Sequence, residues 1–161
     1  MTEIEIGRAK RARRVYSFDD VAIVPSRRTR DPEDVSITWK IDAFTFDIPL
    51  LAAPMDSVMS PETAIGFGKL GGLGVLDLEG LWTRYDDPAP LLAQIADLPA
   101  KQATAKLQEI YREPVKGTLI KERLQQIREA GVPVAGALSP QRTQQFMNDV
   151  LEAGTDLFVI R

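Results

Sequence analysis

The chain has 161 residues, enough for one domain with a real core, and its 44% hydrophobic and 27% charged content is that of a soluble globular protein rather than a disordered one. It contains no cysteine and no histidine, which excludes disulfides, thiolate nucleophiles, zinc sites and histidine general bases within these residues. The net charge of −3 is uneven, because residues 1–30 carry eight basic groups against four acids, net +4, and the remainder carries −7.

A basic head can mark a nucleic-acid surface. Here no nucleic-acid motif or interleaved aromatics accompany it, so no nucleic-acid partner is expected. A solvated segment, or one paired with acidic surface of a neighbouring subunit, is the expectation. No apolar run approaches the roughly 18–20 residues of a membrane-spanning helix, and the start lacks the basic-then-apolar layout of a secretory signal. The expected location is the cytoplasm, with no membrane partner. A metal would need hard oxygen ligands, and no closely spaced carboxylate loop offers them, so no metal site is expected.

In chain order, Val35-Ser36-Ile37-Thr38-Trp39-Lys40-Ile41 alternates apolar and polar, the period-two signature of a half-buried strand. A second strand over Phe44-Thr45-Phe46 would pair with it antiparallel. Residues 48–54, IPLLAAP, form a continuous apolar run that predicts a strand buried on both faces of a parallel sheet. Ser60-Pro61-Glu62 starts a helix with a hydroxyl cap, Pro at the first position and an acid at the positive end. That helix runs to about Leu70 and stops at Gly71-Gly72. A strand follows over Leu73–Leu78.

Residues 79–117 form an irregular helical interlude, with one helix beginning at Asp87-Pro88. Another begins at Pro99 and runs through Leu107 and Ile110 to a break at Pro114. Thr118 then caps a helix whose Ile120, Leu124 and Ile127 share one face and which ends at Gly131. Pro133–Leu138 is strand-like. Ser139-Pro140 opens a helix carrying Phe146, Val150 and Leu151 inward and closing at Gly154. Asp156–Ile160 reads as a fourth buried strand. Glu129-Ala130-Gly131 and Glu152-Ala153-Gly154 make a weak repeat, each a helix exit before a strand. Alternating helices and parallel strands predict an α/β protein, either doubly wound or half of an eightfold barrel. The last residue, Arg161, directly follows an apolar strand with nothing to cover its edge, so we expect the chain to be an N-terminal fragment of something longer.

Three motifs have a structural and a functional reading. IPLLAAPMDSV at 48–58 is either a strand and a turn in which Asp56 or Ser57 caps local backbone, or, on a barrel, a ligand-bearing loop with Met55 packed against a flat base. Asp19-Asp20 could be an acid/base pair, but neighbouring side chains in an extended segment diverge, so capping is expected. Gly71-Gly72-Leu73-Gly74 precedes a strand, whereas a dinucleotide fingerprint follows one, and it is read as a helix-to-strand turn.

Taken together, Phe18-Asp19-Asp20-Val21 with Val24-Pro25, then Ile48-Pro49-Leu50 running into Ala53-Pro54-Met55-Asp56-Ser57-Val58, then Gly71-Gly72-Leu73-Gly74-Val75, resemble the opening of IMP dehydrogenases and GMP reductases. GRAKRARR at 7–14 and LDLEGLW at 76–82 resemble the actinobacterial IMP dehydrogenase-related branch. The resemblance implies a (β/α)8 TIM barrel, of which residues 1–161 would be the N-terminal half, preceded by a short antiparallel strand pair. It implies a purine nucleoside monophosphate as substrate, NAD or NADP as cofactor, and a homo-oligomer when full length. Met55 and Ala53 would contact the nucleotide, and Arg161 would lie at the cofactor.

The departures from the family are specific. The typical enzyme inserts paired CBS modules where residues 79–117 stand, and these are too short for that. The family's histidine at the end of the second barrel strand is Asp77 here, and the aspartate that meets the cofactor after the fourth is Arg161. An acid exchanged for a cation there bears on cofactor choice: either ordinary NAD is not used or a more negative cofactor is preferred. The family's nucleophilic cysteine lies beyond residue 161, so the fragment itself is expected to be inactive and to hold no catalytic residue. A non-catalytic nucleotide-binding or scaffolding paralogue is the alternative.

Overall fold

The computed structural model describes residues 3–24 and 31–161, and the chain forms two compact units, residues 1–36 and 37–161. Pro25 of the motif above, with Arg27, Arg28 and Arg30 of the basic head, lies outside the described residues.

In the first unit, β1 (Glu3–Gly7) and β2 (Lys10–Arg13) form an antiparallel hairpin that turns through Ala9 at φ 59. The basic head, expected as a solvated segment or one paired with a neighbouring subunit, here forms a hairpin, and the alternating Glu3-Ile4-Glu5-Ile6 is its sequence signal. Asp19 and Asp20 lie in a single 3-10 turn. There the Ser17 backbone N–H and hydroxyl both donate to the Asp20 carboxylate, at 3.0 and 2.9 Å. These bonds hold the Asp20 carboxyl below the usual range. Asp20 of the acidic pair therefore caps backbone, as expected.

The second unit opens with β3 (Trp39–Ile41) and β4 (Phe44–Phe46), an antiparallel hairpin turning through Asp42 at φ 49. The predicted strand over 35–41 is shorter than its alternation suggested, because β4 offers only three rungs, Trp39 opposite Phe46 to Ile41 opposite Phe44. Four parallel strands follow in the order β5 (Leu51–Ala52), β6 (Leu73–Asp77), β7 (Ala135–Leu138), β8 (Leu157–Ile160). Between them run α1 (Pro61–Lys69), then α2 (Ala89–Ala96), α3 (Ala100–Ile110) and α4 (Gly117–Glu129), then α5 (Pro140–Glu152). Sequential parallel strands with intervening helices are the first half of a (β/α)8 barrel.

The run 48–54 does not form a strand buried on both faces. Only Leu51 and Ala52 pair, with Leu73 and Gly74 of β6, and Leu51 remains 52% exposed. An apolar run specifies burial only where the sheet continues on both sides, and among the described residues β5 has one neighbour.

The strands sort their side chains with period two. Leu76, Leu78, Val134 and Leu138 face the helices, packing with Ala64 of α1, Ile120, Leu124 and Ile127 of α4, and Phe146 and Val150 of α5. Each of these large side chains contributes about 1.5–3 kcal/mol on burial. Leu73, Val75, Ala135, Ala137, Leu157 and Val159 face the other way, into the barrel interior, where the β3–β4 hairpin covers them with Trp39, Ile41, Phe44 and Phe46. The hairpin thus plugs the N-terminal end of the interior and leaves the C-terminal ends of the strands to carry other groups.

Helix ends follow the local signals except at α4. Ser60 accepts from the Thr63 N–H, Ser139 accepts from the Arg142 N–H, and Gly71 leaves α1 at φ 87, a conformation that favours glycine. Thr118 does not cap α4, which begins one residue earlier at Gly117 with Lys116 as the flanking residue and no side-chain cap. Tertiary contact sets that start: the Lys116 N–H donates to the Thr83 carbonyl at 2.9 Å. Leu151 is not inward either. It is 66% exposed, because Phe146, Val150 and Ala153, spaced by four and three, already define the buried stripe of α5.

Candidate active-site face

The C-terminal ends of β5, β6 and β8 meet around an open concavity of about 410 Å³, lined by Pro54, Met55, Asp56, Ser57, Asp77, Leu81, Leu92, Ile95, Leu107, Tyr111 and Arg161. In a β/α barrel this is the face that bears ligand sites. Of the residues singled out in the sequence, Met55 lies in the loop after β5, lines the concavity and is 50% exposed. Ala53 is exposed where β5 ends but does not line it. Arg161 lines it directly after β8. Among the described residues no cluster of carboxylates could hold a metal ion.

The two departures from the family pattern turn out to be one feature. Asp77 and Arg161 both fall on the inward parity of their strands. The register runs Asp77 to Ala137 to Val159, so Arg161 emerges two residues beyond, on the same face. Only the methyl of Ala137 stands between, and the Arg161 guanidinium reaches across to Asp77 Oδ1 at 2.8 Å while also donating to the Pro54 carbonyl at 3.0 Å. The Glu79 N–H donates to the same Asp77 oxygen at 2.9 Å. The cation at position 161 is therefore engaged within the protein, and an acid is restored to the concavity from β6.

Burial raises the Asp77 carboxyl above the usual range; the Glu79 N–H and Arg161 pull it back only in part, and the nearby Asp56 charge adds to the rise. A carboxyl raised on folding adds stability below its unfolded pKa, and that stability is lost as pH rises through the folded value. Asp77→Asn keeps an oxygen for the Glu79 N–H and removes the penalised charge. At neutral pH the variant should melt at or above the wild-type temperature, and the difference should close as pH falls through the carboxylate range and wild-type Asp77 takes up its proton. Denaturation at a series of pH values measures this. A large loss of stability at neutral pH would show instead that the bond to Arg161 outweighs desolvation.

Asp56 is not the local cap that its turn position suggested. Its Oδ2 accepts from the Leu81 N–H at 2.9 Å and from the Tyr111 hydroxyl, tying the loop after β5 to residues 25 and 55 positions away. Gly80 permits the approach, since a Cβ there would stand 2.0 Å from Asp56 Oδ1. Burial, and then the Asp56 carboxylate, push the Tyr111 phenol far above its ordinary value, so it remains a donor.

Tyr111 and the apolar lining residues Leu92, Ile95 and Leu107 come from the helical part of residues 79–117, which no motif marked. Their anchor is Arg84, buried, donating to the carbonyls of Glu79 at 3.0 Å, Tyr111 at 3.2 Å and Glu113, with its guanidinium 5.2 Å from the centre of the Tyr111 ring. Tyr85 donates to the Ile110 carbonyl at 2.8 Å, and Arg123 of α4 donates to the Trp82 and Asp86 carbonyls at 3.1 and 2.6 Å. Sequence alone could flag the helices but not which of their side chains return to the strand ends.

Comparison with known proteins agrees with this geometry. A family profile described as IMP dehydrogenase / GMP reductase domain matches residues 15–160. The chain is 45% identical, over 98% of its length, to an "uncharacterized oxidoreductase" of Mycolicibacterium smegmatis, and spans 44% of that protein. It is 38% identical to an inosine-5'-monophosphate dehydrogenase of Methanocaldococcus jannaschii over 40% of its length and 13% of the relative. A crystal structure of an IMP dehydrogenase/GMP reductase-like protein from Corynebacterium glutamicum superposes with a TM-score of 0.81 at 44% identity, covering 99% of the chain and 44% of that structure. The chain thus spans less than half the length of these fuller relatives. The likeness takes in every strand of the parallel sheet, and the chain belongs to the IMP dehydrogenase/GMP reductase family.

Proposed function

We propose that the intact protein is a purine-nucleotide oxidoreductase that moves hydride between a purine 5′-monophosphate and a nicotinamide cofactor, NAD or NADP. By the same likeness it works in the cytoplasm as a homo-oligomer. The observation that carries this reading is the placement of Pro54-Met55-Asp56-Ser57, the loop after β5, around one concavity with the ends of β6 and β8. The oxidoreductase names of the relatives favour an enzyme over a non-catalytic paralogue.

The concavity falls within the roughly 300–1,000 Å³ of small-molecule sites, with room for a ribosyl-and-ring group. The residues present fit such a group, with carboxylates to accept from hydroxyls and apolar side chains to pack on a ring. The nicotinamide ring would supply the hydride acceptor or donor. In this reading Met55 packs under the base, Ala53 leaves room beside the nucleotide, and Arg161 lies near the cofactor while fixing Asp77. None of these groups is a nucleophile, and the covalent chemistry is assigned to parts of the intact protein other than these residues.

Met55→Ala in the intact protein tests the reading. Losing an apolar platform should weaken purine monophosphate binding by about 1–3 kcal/mol, the size of a base-stacking contact. Thermal stability should change little, since the side chain is half exposed. Titration calorimetry with IMP, and absorbance of the reduced nicotinamide during turnover, give the two readouts. Unchanged affinity with a large drop in melting temperature would make Met55 a packing residue.

A further inference from the structure

Of the five lining residues that 79–117 supply to the concavity, three are apolar side chains on its helices: Leu92 and Ile95 from α2 and Leu107 from α3. They stand there because α3 ends against the loop after β5, where Tyr111 donates to Asp56 and the buried Arg84 gathers the carbonyls at the end of the helix. The rest of the lining holds Asp56, Asp77 and Arg161: Asp56 is committed to the Leu81 N–H and the Tyr111 hydroxyl with its other oxygen buried, and Arg161 is paired to Asp77 and to the Pro54 carbonyl. Two acids against one cation leave this part of the lining with an excess negative charge, which disfavours a phosphate, while Asp77 Oδ2 can accept from a hydroxyl. The apolar wall has the opposite preference.

We propose that residues 79–117 form an apolar subsite of Leu92, Ile95 and Leu107 that takes the planar ring of a ribosylated ligand, its sugar turned to Asp77 and its phosphate outside, with Tyr111 as the residue that positions this wall. The inference rests on the nucleotide-oxidoreductase reading and adds which part of the chain selects the ring. Two ligands of that reaction share this chemistry, the purine monophosphate and the nicotinamide cofactor.

Calorimetric titration of the intact protein with IMP and, separately, with NAD or NADP tells them apart. Leu107→Ala should weaken one of the two by about fivefold to tenfold, the size of a lost apolar contact, and leave the other unchanged. The ligand that weakens is the occupant. Leu107→Trp, which fills the subsite instead of emptying it, should weaken the same ligand. Leu107 is 36% exposed, so neither change removes a core residue. Tyr111→Phe keeps the ring and removes the hydroxyl. It should weaken that same ligand, and a double variant with Leu107→Ala should bind it no worse than the weaker single variant, since both act on one wall.

Unchanged affinity for both ligands in all variants, or an equal loss for both, would overturn the subsite while leaving the nucleotide reading intact. A loss of thermal stability in Tyr111→Phe with both affinities unchanged would reduce Tyr111 to a structural residue and overturn its positioning role. A wild-type protein that binds neither ligand would overturn the nucleotide reading and the subsite together.

Discussion

Purified by itself, the 161-residue chain should elute from size-exclusion chromatography as a dimer or larger species, melt broadly and bind a hydrophobic dye. Among the described residues the outer edges of β5 and β8 have no strand partner. Unpaired N–H and C=O groups along apolar residues are a template for another chain. Ile160 is 60% exposed on β8 and Leu51 52% on β5, and neither strand has a charge or bulge within it to discourage pairing. The interior face adds to this, since Leu157 and Val159 are only partly buried beneath the hairpin. Net domain stability is only about 5–15 kcal/mol, so a fraction of the apolar area left in water decides the balance between monomer and assembly. Light scattering with a thermal melt measures it. A monodisperse monomer with one sharp transition would show that another part of the chain covers both edges.

Replacing Arg84 should have the largest effect of any single change in residues 79–117. Its guanidinium is buried and satisfies three backbone carbonyls, that of Glu79, that of Tyr111 at the C-cap of α3 and that of Glu113 just beyond it. In Arg84→Met the apolar stem is roughly kept and the donors vanish, leaving acceptors that have lost their partners. At about 1–3 kcal/mol per buried unsatisfied group, a loss of about 3 kcal/mol is expected. Hydrogen exchange should show loss of protection concentrated at the end of α3, with Tyr111 freed from Asp56. Arg84→Lys should not rescue it, because a single ammonium cannot span the three carbonyls and stack on the Tyr111 ring. A variant with wild-type melting and exchange would show that α2 and α3 are held by their apolar contacts alone.

The sequence by itself determined the element types. Ser60-Pro61 and Ser139-Pro140 start helices because a hydroxyl cap and a proline act within one turn, and Gly71 ends one because its left-handed φ favours glycine. The runs at 73–77 and 157–160 are strands, and alternation divides their residues between interior and helix-facing sides. The motif order with PMDSV after the first parallel strand carried the family. Each of these signals is local or periodic.

What only the tertiary structure decided is where distant residues meet. Residues 48–54 had the composition of a central strand, yet two residues pair, because pairing depends on neighbours and not on hydropathy. The start of α4 followed a bond to Thr83 rather than the hydroxyl of Thr118. Asp77 and Arg161, each a separate departure from the family pattern, became an ion pair once the register of three strands placed them on the same face of the sheet, either side of Ala137. Tyr111 reached Asp56 from 55 residues away. Periodicity is set within a turn or a strand pleat, whereas strand register and helix docking are set by the packing of the whole unit, and the chemistry of this face arises from the second.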